Sequence, residues 1–390
     1  MKREDFTHSQ QNHLIATING ELAYLPPALP PGLSIAEFAL PLASASNAIG
    51  ELRGASRRIQ NPFMLIGPLL RREALTSSAM EGTITTLGDL VLQEADKESN
   101  KSDDTRETYN YINAIQKITS FGTINLSQWL IKEAHSILLG GLSQVRGANK
   151  RPGQYKNRQN AVGRHGDNIF TARYVPPPPD QAEHCMDALF AFINRPNIVP
   201  ETRLIDLALM HYQFEAIHPF DDGNGRIGRM LITLAAMQNK LVELPLLHLS
   251  PYLEGRKEEY IEKLFRVSTQ GEWTEWIKFF LKAVEESCNQ AIIVVDRIIE
   301  LQTALRAQIN SVKKPARLLM IIDGLFTKTW TTASEVQNLC KVSFPTAQSD
   351  LRTLVQLGVL RELQSISSKL YIAPAIMSLS DRPNTSKIGS

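Results

Sequence analysis

The stretch His218-Pro219-Phe220-Asp221-Asp222-Gly223-Asn224-Gly225-Arg226-Ile227-Gly228-Arg229 lies between two helical segments, and its reading decides that of the whole chain. Gly223 and Gly225 allow a sharp turn that exposes consecutive backbone N–H groups. The helix beginning near Arg226 presents its positive end to the same spot, which makes a phosphate-binding site. On that helix Ile227, Met230, Leu231 and Leu234 share a face and should be buried. Arg226, Arg229 and Thr233 fall on another face, so both guanidinium groups can reach an anion over the loop. The Asp222 carboxylate is suited to a Mg²⁺ ion bridging phosphate oxygens, and the His218 imidazole to removing a proton from an incoming hydroxyl.

Simpler explanations of this stretch fail. In an EF-hand register the first ligand would be Phe220 and the closing glutamate Leu231, and neither can serve. A zinc protease needs His-Glu-x-x-His, which is absent. An ordinary Asn-Gly turn does not account for the paired arginines or the metal-capable acid.

Around this loop the chain is 390 residues long, enough for two or three domains, with 43% hydrophobic and 21% charged residues. Its 42 basic and 40 acidic residues give a net charge of +2, which excludes bulk electrostatic binding to nucleic acid or acidic membrane. Cys185, Cys288 and Cys340 are isolated and lack a CxxC, so neither a disulfide framework nor a Cys-rich zinc module is expected. No signal peptide or membrane span is legible, and a soluble cytoplasmic protein is the expectation, with no membrane partner.

Helical periodicity dominates residues 1–285. Pro68 to Gly82 reads as a helix with Pro68 in its first turn and Gly82 as its stop, and Glu94 to Arg106 reads as a loop. Helices are predicted at 107–119, 127–139, 181–194, 201–217 and after Gly225, with an irregular stretch at about 140–180. Residues 286–312 read as an amphipathic connector. Beyond Lys313-Lys314-Pro315, three helices (316–326, 333–340, 344–357) and two strands (358–360, 370–372) are predicted, followed by a frayed polar tail after Pro374.

The twelve-residue loop resembles the signature of the Fic family, HPFx(D/E)GNGRxxR, and matches every fixed position. The likeness extends to Glu107-Thr108-Tyr109-Asn110-Tyr111, similar to an E-x-x-N-Y helix. Pro152-Gly153-Gln154-Tyr155-Lys156-Asn157-Arg158-Gln159-Asn160 is similar to a PGxYRxxQN segment, and Ala172 to Pro178 resembles the flap region. It spans about residues 60–285. The resemblance implies an all-α Fic core, a helical bundle with a short β-like flap, followed by a small α+β winged helix-turn-helix domain.

The implied activity is protein adenylyl transfer (AMPylation), moving AMP from ATP to a Ser, Thr or Tyr hydroxyl of a target protein. By position, His218 is the general base, Phe220 the buried anchor of the loop, and Asp222 the Mg²⁺ ligand. Gly223, Asn224 and Gly225 line the anion hole, and Arg226 and Arg229 face the β and γ phosphates. Ile227 and Gly228 complete the nucleotide-binding set. Attack at the α-phosphorus spreads negative charge onto oxygens that N–H groups, Mg²⁺ and arginines stabilise.

Ser77-Ser78-Ala79-Met80-Glu81-Gly82 fits the family's inhibitory pattern, (S/T)xxxE(G/N). An anion in the last turn of a helix is disfavoured by the macrodipole and benefits from a cation, for which Arg229 is the natural candidate. Ser77 lies one turn back on the same face. Paired with Glu81, Arg229 could not grip the γ-phosphate. Domains follow as 1–120 (N-terminal helical region with the inhibitory helix 68–82), 121–285 (catalytic core), 286–312 (connecting helix), 313–375 (winged helix-turn-helix-like domain) and 376–390 (tail).

One position departs from the pattern. Gly255-Arg256-Lys257-Glu258-Glu259-Tyr260 stands where the family often has Asn-Arg-x-x-Tyr-Tyr, which leaves a nucleotide contact at Gly255 and the choice of nucleotide open. His211 and His135 read as packed histidines, and Trp273, Trp276, Phe279 and Phe280 as helical core. Residues 313–372 carry eight basic and four acidic residues, and Thr346, Gln348, Ser349 and Arg352 would face outward from the second helix of the pair. DNA contact and protein docking are both open for this module. The target is expected to dock at the Pro-rich loop and along 168–176, and a homodimer is expected. Two further functions stay open: a DNA-binding regulator with the core as nucleotide sensor, and transfer of a group other than AMP.

Overall fold

The computed structural model describes all residues except 60, 62, 96–101, 123, 164–167, 197–198, 200–201, 312–314, 365–368 and 382–390. The bundle centre follows from the most apolar part of the sequence. Helices α7 (Arg203–Ile217) and α8 (Asn224–Gln238) are buried on nearly every side, as helices without a polar face must be. The twelve-residue motif spans the turn between them, so it opens at the heart of the fold and not on a peripheral loop.

Around this pair stand α1 (Ala39–Ser56), α2 (Phe63–Met80), α4 (Asp103–Thr119), α5 (Gln128–Leu138), α6 (Pro179–Ile193), α9 (Ser250–Glu254) and α10 (Lys257–Gln270). One core runs continuously through them and on into the C-terminal part. The long helix α11 (Trp273–Ser311) lies along α1, and the buried Trp276 indole donates to the Ala208 carbonyl of α7 at 2.9 Å. The expected boundary at 285 and nearly all of the expected connector 286–312 fall within this one uninterrupted helix. The apolar stripe that suggested a connector packs into the body.

Other boundaries shift for local reasons. Helix α2 begins at Phe63, five residues before Pro68, so the proline sits inside the helix rather than in its first turn. Its end matches the expectation: Gly82 has φ +82°, and Thr83 N–H bonds the Ser78 carbonyl at 3.1 Å. The predicted loop 94–106 is partly helical, since α3 (Leu87–Ala95) and α4 enter it from either side. Ser102 caps α4 through Thr105 N–H at 3.3 Å, with Asp103 and Asp104 in the first turn where the dipole favours acids. An N-terminal hairpin, β1 (Leu14–Ala16) with β2 (Leu22–Tyr24), precedes α1.

The expected flap contains one antiparallel pair, Val162 with Tyr174, in which Val162 N–H bonds the Tyr174 carbonyl at 2.8 Å. After α11 come α12 (Arg317–Thr327), β3 (Trp330–Thr331), α13 (Ala333–Cys340), α14 (Phe344–Gln356), β4 (Arg361–Gln364) and β5 (Lys369–Ile372), the strands ordered β3-β5-β4. The first expected strand is displaced three residues, and β3 was not anticipated. Residues 374–380 are not a frayed tail: α15 (Pro374–Met377) and the turn after it bury Ile376 and Leu379. Of the expected linker, 313–314 lie outside the described residues, as do 382–390 of the expected tail. The C-terminal sheet rests on α3, where Val91 clusters with Trp330, Leu370 and Ile372. Among the described residues no helix is long and apolar enough to cross a membrane.

Candidate active site

Helix α7 stops because His218 takes a left-handed conformation, φ +49°, while its N–H still bonds Phe214 at 3.0 Å. Helix α8 starts after Gly223, also left-handed at φ +78°, which a glycine adopts without strain. Between them Asn224 closes the turn on itself. Its Oδ1 accepts Phe220 N–H and its Nδ2 donates to the Phe220 carbonyl, both at 2.8 Å.

Phe220 is fully buried, as expected of an anchor, and stacks on the His135 ring at 3.9 Å. His135 does more than fill the core. Its Nδ1 accepts Gly153 N–H at 2.9 Å, so the proton resides on Nε2, which donates to the Asp222 carbonyl at 3.0 Å. Burial pulls His135 down to about 4 and keeps this neutral tautomer. From below, Lys156 and Asn160 bond further carbonyls of the loop.

The His218 imidazole is also held neutral: burial first, then the Lys156 charge, bring it down to about 4, against a hydrogen bond to the Glu215 carbonyl. A neutral imidazole has the lone pair a general base needs. Asp222 is partly exposed, its Oδ1 accepting Gly223 N–H at 2.6 Å and Arg226 at 3.2 Å. Its other oxygen is 3.9 Å from Lys150.

Both arginines reach the edge of the loop, and each already has a carboxylate. Arg226 is buried in an ion pair with buried Glu107 of α4, which also binds Arg146. Arg229 donates from Nε to the Ser77 hydroxyl at 2.9 Å, and from Nη2 to the Ser77 carbonyl at 2.8 Å and to Glu81 Oε1 at 2.7 Å. Burial opposes the Arg229 charge, yet Glu81 holds its pKa above the ordinary value; burial likewise opposes the Glu81 anion, and Arg229, then Arg226, hold it below.

Glu73 and Ser77 lie one turn apart on one face of α2, and Glu81 follows at the same spacing just past its end. Buried Glu73 fixes that face by accepting Tyr111 OH at 3.0 Å and the Ser250 hydroxyl at 2.5 Å. At the end of α2 the Glu81 carboxylate comes to rest against Gly225. A methyl group there would overlap Glu81 Oε1 and stand 2.8 Å from Arg229 Nη1. Gly225 is therefore needed for the close approach, and a carboxylate lies over the first turn of α8, where an anion is favoured.

Two expected contributors do not face this opening. Ile227 has its side chain in the core, and its N–H is already bonded to Gly223 at 3.0 Å. Gly228 lies against α7, where a methyl group would overlap the Glu215 carboxyl and approach the Phe214 ring at 3.1 Å. Glu215 itself is raised by burial to about 7. The sequence reading missed Glu107, His135, Lys156, Asn160 and Glu215 as members of this neighbourhood. Glu107, Lys156 and Asn160 lay in quoted motif segments, which was the available signal; for Glu215 the spacing of three before His218 was the only one. Among the described residues no three His, Cys, Asp or Glu side chains group to hold a metal. A surface cavity of about 300 Å³ bounded by Ile15, Ile18, Leu25 and Pro178 shares no residue with the loop.

Residues 40–119 match the family model described as Fic/DOC family N-terminal, and residues 125–236 match the model described as Fic/DOC family. It is 29% identical over 104 residues to a probable protein adenylyltransferase, aq_aa38, of Aquifex aeolicus (25% of this chain, 32% of the relative). It is 31% identical over 130 residues to the protein adenylyltransferase Fic of Drosophila erecta (33% of this chain, 22% of the relative). The chain thus spans about a third or less of the length of these curated relatives. In structure it resembles a Fic family protein from Desulfovibrio desulfuricans G20, with a TM-score of 0.56 and 19% identity over 88% of this chain and 98% of that one. Fic-1 (aa134–508) from C. elegans aligns with a TM-score of 0.50 and 20% identity, over 67% of this chain and 73% of that one. Both likenesses concern the fold.

Proposed function

We propose that this chain is a protein adenylyltransferase that restrains itself through Glu81. The observation that carries the reading is the Glu81 carboxylate over Gly225, bonded to Arg229, at the mouth of an anion site flanked by a neutral His218. The curated relatives named protein adenylyltransferase support ATP as the co-substrate.

In this reading His218 takes the proton of a target Ser, Thr or Tyr hydroxyl as that oxygen attacks the α-phosphorus. The new bond joins the hydroxyl oxygen to phosphorus, and the bond to the bridging oxygen of pyrophosphate breaks. Asn224 and Gly225 at the start of α8 cradle the anion with backbone N–H groups, and Arg229 neutralises the departing phosphates once Glu81 releases it. Asp222 suits Mg²⁺, because that ion is commonly held by one or two carboxylates together with substrate phosphates, and Asp222 is a partly exposed carboxylate of the loop. Bound there, the ion would neutralise charge on the phosphate oxygens. Arg226, committed to Glu107 and Asp222, then orients Asp222 more than it meets phosphate.

Helices α12 to α14 with the sheet β3-β5-β4 support a winged helix-turn-helix reading of the C-terminal module. DNA contact keeps a place as a second reading for one reason. Asp350, which would repel phosphate from the face of α14, is buried and gripped by Arg317 at 2.6 and 2.9 Å, while Ser349 and Arg352 are exposed. A gel-shift on random DNA tests that reading. The adenylyltransferase reading is tested by mass spectrometry of a lysate treated with the Glu81→Gly protein and ATP, with His218→Ala as the blank. AMP adducts on Ser, Thr or Tyr confined to the first sample are the expected outcome.

A further inference from the structure

Four consecutive carbonyls of the turn that presents His218 are bound from below by two residues. Lys156 Nζ donates to the Ile217 carbonyl at 3.3 Å, and Lys156 N–H donates to the Pro219 carbonyl at 2.8 Å. Asn160 Nδ2 donates to the carbonyls of His218 and Phe220, both at 3.0 Å. The two are joined, since Lys156 Nζ also donates to Asn160 Oδ1 at 2.7 Å, which turns the amide so that its NH₂ points at the loop. Peptide units are planar, so fixing a carbonyl fixes its plane. With the planes on both sides of His218 fixed, its torsions are set. That matters here because His218 is a non-glycine residue at φ +49°, a strained conformation that persists only when its surroundings enforce it.

We infer that Lys156 and Asn160 are positioning residues for the base: together they hold the His218 backbone in its left-handed conformation. The Lys156 charge adds to burial in disfavouring protonation of the ring. The inference rests on the proposed role of His218. Lys156 is 4% exposed, and it lies second only to burial among the causes that lower His218. Burial brings Lys156 itself down to about 7, with Cys185 of α6 and Asp221 of the loop as the neighbours that favour its charge. The resembling segment PGxYRxxQN carries arginine at this position, so Lys156→Arg is the substitution that keeps a cation in place.

The test uses the full chain in the Glu81→Gly background, with Lys156→Met, Lys156→Arg and Asn160→Ala. The readouts are kcat and KM for ATP, together with the titration of the His218 ring by NMR. The expected result is a fall in kcat of about 10- to 100-fold for Lys156→Met and Asn160→Ala, as for a misplaced catalytic group, with KM changed less than about threefold. Lys156→Arg should retain most of kcat. His218 should titrate closer to the ordinary histidine value in Lys156→Met and stay low in Lys156→Arg. Folded Lys156→Met and Asn160→Ala proteins with unchanged kcat, or a His218 titration indifferent to the loss of the cation, would overturn the inference. If Lys156→Met does not fold, Asn160→Ala and Lys156→Arg still decide it. A parent with no transfer at all sinks the adenylyltransferase reading alone, and the His218 backbone conformation read by NMR in Asn160→Ala and Lys156→Met then decides the positioning role.

Discussion

The Glu81 carboxylate bonds Arg229 at 2.7 Å while resting against Gly225, so one side chain engages both the arginine and the helix start to which the proposed function assigns the polyphosphate. The contact joins the end of α2 to the start of α8, 148 residues apart in sequence. Its orientation depends on Glu73 and Ser77, which lie on the same face of α2 and are themselves bonded. Removing Glu81 therefore frees the site without removing what builds it.

Replacing His218 should remove transfer while leaving the fold. His218→Ala in the Glu81→Gly background is expected to lower kcat by about 10²–10⁴-fold, the usual worth of a general base. Because burial holds His218 at about 4, the base form is present at neutral pH, and the rate should fall as pH drops through about 4. A pH–rate profile of folded protein checks both.

Acid should destabilise the chain through its buried histidines. His135 and His218 are held at about 4 and His211 at about 3, all below the ordinary value of 6.5. Between 6.5 and these values the unfolded chain binds more protons than the folded one, so stability decreases as pH falls, by roughly 1.4 kcal/mol per pH unit for each such histidine. Glu215, raised by burial to about 7, acts in the opposite direction and offsets part of one of the three. The thermal midpoint should thus be lower at pH 5 than at pH 7, and His211→Gln should flatten that dependence.

Phe220→Ala should cost both stability and activity. The side chain is fully buried and stacked on His135 at 3.9 Å, and deleting it leaves a cavity whose cost is about 3–5 kcal/mol. Denaturant unfolding measures the first effect. Loss of transfer in protein that is still folded at low temperature measures the second, since the His135 bond to Asp222 depends on that stack.

Chelation of divalent cations should stop transfer, and Asp222→Asn should raise the Mg²⁺ concentration needed for half-maximal rate. The melting temperature of the nucleotide-free protein should be the same with and without EDTA, because among the described residues no three His, Cys, Asp or Glu side chains gather into a structural metal site. Thermal melts with and without EDTA separate these outcomes.

Much of this site could be read in the sequence because the loop is contiguous. His218, Asp222, the glycines and the arginines lie within twelve residues, and the local rules for turns and helix starts apply directly. The pairing of Glu81 with Arg229 was legible too, from the short pattern at the end of α2. What escaped was long-range. Nothing in the spacing of Glu107 announces that it takes Arg226, and nothing in Lys156 and Asn160 announces that they gather four carbonyls. Those facts depend on how α4 and the segment 152–160 pack against α8 and the loop. The boundary errors were of the same kind. Local patterning cannot distinguish the stripe on α11 that packs against α1 from one that spans two domains.

The most direct test of the central claim is the rate of AMP incorporation from α-labelled ATP with Mg²⁺, comparing wild type, Glu81→Gly and Glu81→Gly with His218→Ala. The account predicts a rate several-fold or more above wild type for Glu81→Gly and none above background for the double variant. Equal rates for wild type and Glu81→Gly would contradict it.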